Sequence, residues 1–454
     1  MDQSIRQSRL AWPGALLVFA AVLLAQIPLA LNPGYFSHDE LQWAAFANGG
    51  GGFSWADVGT FQYRPLTFNL WMWLSRHLFP HPVAFHLVLA CWGAANAVLL
   101  HRVLRAFDVM PRPAFVAAFV FALSPFAVYV HGWVGTIGDL LWLSCALLAA
   151  WIALRGQRLA VLAVVVLLLT TCALLAKEAA VSIPALALVA LLLDQPRRQR
   201  WLAATLASLL PVLAYLALRI GVLLAPEHQG TAYASDLANM PRRWAEYQVF
   251  PPHVGVMEIF NTFSDGASLR VVLAACLWLA LVAALARVGW RWSAAFVAGG
   301  AAALGPVLVL AASSNQYGYA FAAVCCGVVA AAWPRMRRPA RALVTLYAVL
   351  VVWHGANVMR GIREVGEVQA VFSPALARAV AAGPASASAP LRLASAPGSK
   401  EWMFLRLSHE IPSYDGVPIG DRVRIVAAGE AADYVIQPDG RLARVRQDVP
   451  APSR

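Results

Sequence analysis

Residues 134–194 read VGTIGDLLWLSCALLAAWIALRGQRLAVLAVVVLLLTTCALLAKEAAVSIPALALVALLLD. Three apolar runs lie here, at 134–154, 158–175 and 179–194, parted only by the short Arg155–Arg158 link and by Lys177-Glu178. Each run approaches the roughly 20 residues that a bilayer crossing takes. The apolar residues are continuous rather than alternating, so the runs are helices and not strands of a barrel.

The same texture extends in both directions. Further runs fall at about 12–31, 82–101, 113–130, 201–224, 268–286, 292–312, 317–333 and 340–358. The spacing therefore predicts an all-α polytopic membrane protein with about eleven transmembrane helices. Of the 454 residues 60% are hydrophobic and 13% are charged, against about half and a quarter in soluble domains. The net charge of +12 is almost all arginine. No basic patch interleaved with aromatics accompanies it, so nucleic acid is excluded as a partner. All six cysteines lie inside apolar runs, without metal-ligand spacing, and read as small packing residues.

Arginine placement sets the topology. Arg6 and Arg9 put the N-terminus in the cytoplasm, and the first run reads as an uncleaved signal anchor. Arg102, Arg105 and Arg112 form the next cytoplasmic cluster, so only one of the two runs at 66–79 and 82–101 crosses. The first is short, carries Arg76 and His77, and has interfacial aromatics, so 65–79 is expected to lie on the membrane surface. Loops at 155–158, 195–200, 287–291 and 334–339 are then inside. Loops at 131–133, 176–178, 225–267 and 313–316 are outside, as is the C-terminus. The expected setting is a plasma or inner membrane, with the working surface extracytoplasmic.

The domain plan is a transmembrane module at 1–358, whose first outer loop spans 31–81, a linker at 359–400, and a small β-rich extracytoplasmic domain at 401–454. The linker is read from Ala/Ser/Pro richness over 373–398. Expected strands are Trp402–Leu407, Val423–Ala427, Tyr434–Ile436 and Leu442–Val445, with Pro438-Asp439-Gly440 as a hairpin turn. No internal repeat is evident.

Polar residues at the ends of apolar runs are the candidates for chemistry, because a charge at the membrane centre costs about 2.5–3.5 kcal/mol and usually serves a site. Asp39 could take a proton from an acceptor hydroxyl or ligate a divalent cation, with Glu40 secondary; equally, His38-Asp39-Glu40 could simply open a short helix over 39–47. Arg64, ahead of Pro65, could hold a phosphate through paired N–H groups or anchor to lipid headgroups. His86 near the outer end of its run, and His131 and Asp139 around the 134–154 run, each have a packing alternative. Lys177, one of only two lysines, could neutralise a phosphate leaving group. Glu178 follows it, but neighbours in sequence do not face each other on a helix. Tyr317 and Tyr319 form a polar aromatic turn that could be an ordinary interfacial belt. All of these fall on the outer side of a topology set by arginine alone.

The ordered set of Asp39-Glu40, Tyr63–Thr67, Pro82–His86, His131 through Gly138-Asp139-Leu140-Leu141, Lys177-Glu178 before Pro184, and Tyr317–Tyr319 resembles the GT-C superfamily of membrane glycosyltransferases over roughly residues 10–335. It is most similar to the branch with protein O-mannosyltransferases and lipid A aminoarabinose transferases. That resemblance implies a polyprenyl-phosphate-linked sugar donor and transfer to an acceptor protein, lipid or glycan on the outer face, with inversion. It implies Asp39 as catalytic acid/base and Arg64 and Lys177 as donor-phosphate contacts. His86, His131, Asp139, Tyr317 and Tyr319 would then line the donor site. Metal use varies within the superfamily, so no metal is assigned; a divalent ion would fall to Asp39. The chain departs from the transmembrane-and-TPR branch in having Gly138 and Gln316 where an arginine usually precedes the acid and the tyrosines, and in lacking a TPR array. The alternatives are a transporter or flippase of a lipid-linked sugar, which would show paired repeats and broken mid-membrane helices, and a non-catalytic scaffold.

Overall fold

A computed structural model describes residues 2–156, 158–225, 233–383, 389–408, 410–427 and 429–445. Its helices are α1 (Asp2–Ala25), α2 (Ile27–Ala30), α3 (His38–Asn48), α4 (Pro65–Leu78), α5 (Pro82–Ala106), α6 (Pro111–Ala122), α7 (Pro125–Gly132), α8 (Ile137–Leu154) and α9 (Leu159–Ala176). They continue as α10 (Ile183–Leu193), α11 (Arg198–Leu223), α12 (Met240–Val249), α13 (Leu269–Val288), α14 (Trp290–Leu304), α15 (Tyr319–Ala332), α16 (Arg338–Ala382) and α17 (Glu401–Ser408). Strands β1 (Leu391–Ser395), β2 (Ser413–Tyr414), β3 (Val417–Pro418), β4 (Val423–Val426), β5 (Tyr434–Ile436) and β6 (Leu442–Arg444) are all C-terminal.

Among the described residues eight helices are long and apolar enough to cross a membrane, or nine if α6 and α7, bent by 57° at a short break, are one span. Two shorter apolar helices, Gly14–Ala25 and Glu178–Leu193, occupy the remaining expected positions. Leu206, Leu210, Leu213 and Leu218 on α11 are mostly exposed. An apolar stripe of that kind is at home in lipid rather than water. The chain is a helical integral membrane protein.

Two compact units divide the chain. The first comprises Met1–Ala30, Phe53–Leu70 and Leu87–Arg360. Within it α13, α14 and α15 share a core of Leu281, Leu285, Phe296, Val328 and Ala332. Gly355 on α16 lies so close to the Leu123 carbonyl that an added Cβ would overlap it. The His354 imidazole sits between the Val256 and Pro251 carbonyls at 2.6 and 3.1 Å, holding the 251–256 loop.

The second unit comprises Leu31–Gly52, Trp71–His86 and Gly361–Arg454. Here the first outer loop does not belong wholly to the membrane module, as expected at 31–81, but packs in part with the tail. The Tyr35 N–H donates to Gln369 on α16 at 2.9 Å, and its phenol donates to the Phe79 carbonyl at 2.6 Å while stacking on the Phe79 ring. Burial pushes the Tyr35 phenol pKa up, and the charge of Glu40 adds to the effect. The segment expected as a linker at 359–400 is helical through Ala382. Ile362, Val365, Phe372 and Leu376 are buried at helical spacing, and alanine favours the helix intrinsically. Residues 384–388 of the expected linker lie outside the described residues.

The tail corrects two further expectations. Trp402–Leu407 is not a strand but α17, with Met403, Phe404 and Leu407 buried on one face. Strand β1 lies ahead of the expected boundary at 401 and pairs in parallel with both β4 and β5. The sheet order is β4-β1-β5-β6, closed at one edge by an antiparallel β5–β6 pair. Between these last strands the Gly440 N–H donates to Gln437 at 2.9 Å, and Gly440 has φ 87°, a left-handed turn position. Residues 446–454 of the expected domain fall outside the described residues.

The tight helix contact gives a direct test. Replacing Gly355 by alanine is expected to cost on the order of 1–3 kcal/mol through overpacking, lowering the thermal midpoint of the purified protein. Gly221→Ala, where nothing lies within 4 Å, serves as the neutral control.

Candidate functional site

Within the first unit, α4 begins beside the start of α8 and the end of α9. The Thr67 hydroxyl donates to the Ala176 carbonyl at 2.7 Å. Gly138 abuts the same carbonyl, and a Cβ there would lie 3.0 Å from it and from Thr67 Oγ1. A side chain at 138 would press these segments apart, so the glycine before Asp139 is a packing requirement.

After Ala176 the helix stops. Lys177 is extended, at φ −161° and ψ 140°, and Glu178–Ser182 forms a 3-10 turn. This break sends two adjacent side chains to different partners. Lys177 Nζ donates to Asp139 Oδ2. Glu178 receives Arg64 Nε on both its oxygens, at 3.0 and 2.7 Å. Lys177 and Asp139 are almost fully buried, with 6% and 2% of their side chains exposed, whereas Arg64 and Glu178 keep 17% and 19%. The Lys177 ammonium also lies 5.1 Å from the centre of the Tyr317 ring, an attractive arrangement. Burial lowers the pKa of Lys177, and Asp139 opposes that shift.

A neutral layer adjoins this ionic one. Tyr319 hydroxyl lies 2.9 Å from His131 Nε2, and it accepts from Asn96 Nδ2 at 3.3 Å. His131 Nδ1 contacts the Gln26 amide at about the same range, 2.8 to 3.1 Å. Asn96 also donates to the Leu140 carbonyl and accepts from Ser144. Gly93 leaves the room that the His131 ring occupies. Buried polar groups partnered in this way specify one arrangement of the helices.

The first unit thus brings together Arg64, His131, Asp139, Lys177, Glu178, Tyr317 and Tyr319. Asp39, Glu40 and His86 belong to the second unit. There, Glu40 is buried and closes a capping box, accepting from the Phe36 and Ser37 N–H groups at 2.6 and 2.8 Å. Its role is to start α3. Asp39, one residue earlier, keeps 32% of its side chain exposed and pairs with His38 Nε2 at 2.9 Å. His86 is buried, its Nε2 at 2.8 Å from the Gly34 carbonyl. Among the described residues no group of three or more His, Cys, Asp or Glu is placed to hold a metal ion.

Two participants escaped the sequence reading. Gln26 supports His131, as above. Arg219 on α11 is 1% exposed. It donates to the carbonyls of Val58, Thr60 and Phe61, the last two at 2.7 and 2.6 Å, and lies over the Tyr63 ring at 5.5 Å. It therefore fixes the loop that leads into Arg64. Both were readable by the rule that flagged Asp139, since each is a polar side chain within an apolar run. The chain matches no protein-family model and no curated protein.

Asp139 and Lys177 form a coupled pair whose partners are each costly alone. Lys177→Met leaves a buried carboxylate uncompensated and is expected to destabilise by about 3–5 kcal/mol. The Asp139→Leu/Lys177→Met double variant should recover most of that loss. Thermal unfolding of the wild type, Asp139→Leu, Lys177→Met and the double variant checks this, and simple additivity of the two single losses would show that the pair is uncoupled.

Proposed function

We propose that the protein is a GT-C-type glycosyltransferase that moves a sugar from a polyprenyl-phosphate donor to an acceptor hydroxyl on the extracytoplasmic side, with inversion. The observation that carries this reading is the state of Arg64. Glu178 holds it by Nε alone. Among the described residues no protein acceptor engages its two terminal amino groups. A guanidinium oriented by one edge, with the other edge open, is suited to paired hydrogen bonds with phosphate.

Lys177 takes a different part from the one its sequence position suggested. It is buried against Asp139 and Tyr317, so its charge is held by the scaffold, and Arg64 is the cation left to meet the phosphate. In this reading eleven helices cross the bilayer, the bent α6–α7 pair counting as one, with the N-terminus inside and the C-terminus outside. The donor's tail lies in lipid and its phosphate at the interface.

The step is a single displacement. A base takes the proton of the acceptor hydroxyl as that oxygen bonds to the anomeric carbon, and Asp39 is the carboxylate that the GT-C resemblance assigns to this part. The bond from this carbon to the phosphate oxygen breaks, and the electron pair leaves with the polyprenyl phosphate, whose growing negative charge the Arg64 guanidinium stabilises. Partial exposure of Asp39 suits a base that must meet an incoming acceptor, whereas buried Glu40 is committed to its helix cap. The acceptor is a protein, lipid or glycan hydroxyl.

Membranes carrying the protein, supplied with radiolabelled polyprenyl-phosphate hexoses and envelope extract as acceptor, provide the assay. Asp39→Asn should reduce transfer by roughly 10²–10⁴-fold with an unchanged thermal midpoint. Arg64→Lys keeps the charge but loses the paired donors, so it too should lower transfer. Full activity in Asp39→Asn would remove that residue from the chemistry.

A further inference from the structure

At the opposite end of the first unit's helices from Lys177 lies a second, unrelated feature. The last turn of α13, the α15–α16 connection and the first turns of α16 enclose an open hollow of about 640 Å³. Arg287, Arg335 and Arg337 line it, and no acidic side chain does. Among the described residues none of the three enters an ion pair. The remaining wall is apolar, formed chiefly by Ala280, Ala283, Ala284 and Leu343. Trp292 lies beside it with the Arg335 guanidinium 5.5 Å from its ring centre, and Trp290 next to it is 65% exposed. Tryptophan at helix ends sits at headgroup level.

Three uncompensated cations call for an anion, and small residues on a helix wall leave room for a chain. An inorganic phosphate would satisfy the arginines but leave the alanine wall unused. We propose that this hollow binds an anionic phospholipid, its phosphate held by Arg287, Arg335 and Arg337 and one acyl chain lying along Ala280, Ala283 and Ala284. Basic pockets between transmembrane helices take lipid headgroups in this manner. The site shares no residue with the Arg64 cluster and does not rest on the glycosyltransferase reading.

Native mass spectrometry of the purified full-length chain tests it, with phosphatidylglycerol and phosphatidylcholine offered at equal concentration. Phosphatidylglycerol should be retained with a preference of roughly tenfold or more. The preference should vanish in R287Q/R335Q/R337Q, whose three sites are exposed and whose thermal midpoint should hold in lipid-free detergent. A283L, which keeps every charge but fills the apolar wall, should weaken retention severalfold, and inorganic phosphate should not displace the lipid. Equal retention of the two lipids, or undiminished retention by the triple variant, overturns the proposal. Undiminished retention by A283L, or displacement by equimolar phosphate, reduces the hollow to a bare anion site and overturns the lipid assignment.

Discussion

A charge held away from water must find its counterion or enough hydrogen-bonding groups, since the effective penalty for burying an isolated ion is several kcal/mol. That constraint organises the first unit. Lys177, just past the end of α9, and Asp139, on α8, are 38 residues apart in sequence, yet each is buried and each has the other. Arg64 and Glu178 meet across 114 residues. Among the described residues Arg219 is paired with no carboxylate, and its terminal amino groups donate to three backbone carbonyls instead. The first two tie the α4 entrance, the start of α8 and the end of α9 to one another, and the third ties α11 to the 58–61 segment that leads into α4. Apolar packing alone does not select such an arrangement, because within lipid one leucine surface fits another nearly as well as it fits a hydrocarbon tail.

The cluster is built where helices stop. A regular helix would carry Lys177 and Glu178 about 100° apart around its axis, and both would climb with it. The extended residue and 3-10 turn at 177–182 instead aim one side chain into the unit and the other toward Arg64. Similar short 3-10 turns occur at 134–136 before Asp139 and at 315–318, which carries Tyr317. Irregular backbone away from water is tolerated where protein surrounds it, and here Ala179, Ala180, Ser182, Asn315 and Gly318 are buried. The breaks are therefore the means by which acids and bases are delivered to one place.

Much of this was legible in the sequence, because it follows from local rules. Apolar runs marked the helices, and Pro65 and His38-Asp39-Glu40 marked two helix starts. Polar residues stranded at run ends marked the cluster. The failures have physical causes as well. Alanine is as common in linkers as in helices, so the stretch after 359 looked loose until burial of Ile362, Val365 and Phe372 gave it a helical face. Trp402–Leu407 is short enough that its period is ambiguous, and its aromatic and apolar content suited a strand equally. Adjacent Lys177 and Glu178 marked a break between two runs, but the directions in which that break sends their side chains depend on its backbone angles, which the residues there do not announce. Gln26 and Arg219 obeyed the right rule and were passed over.

The structure also separates residues that composition makes equivalent. Two cations were candidates for a phosphate, and two adjacent acids were candidates for a base. Burial and partner geometry divide each pair in the same way. One member spends its hydrogen bonds on the scaffold: Lys177 on Asp139, Glu40 on two backbone N–H groups. The other remains oriented but incompletely engaged: Arg64 held by one edge, Asp39 resting on a half-buried histidine neighbour. A residue whose every polar atom is already satisfied by the protein must lose a bond to gain a ligand, and the lost bond offsets most of the new one. On the proposed reading, chemistry falls to the half-engaged member of each pair, Arg64 and Asp39, while Lys177 and Glu40 serve the scaffold.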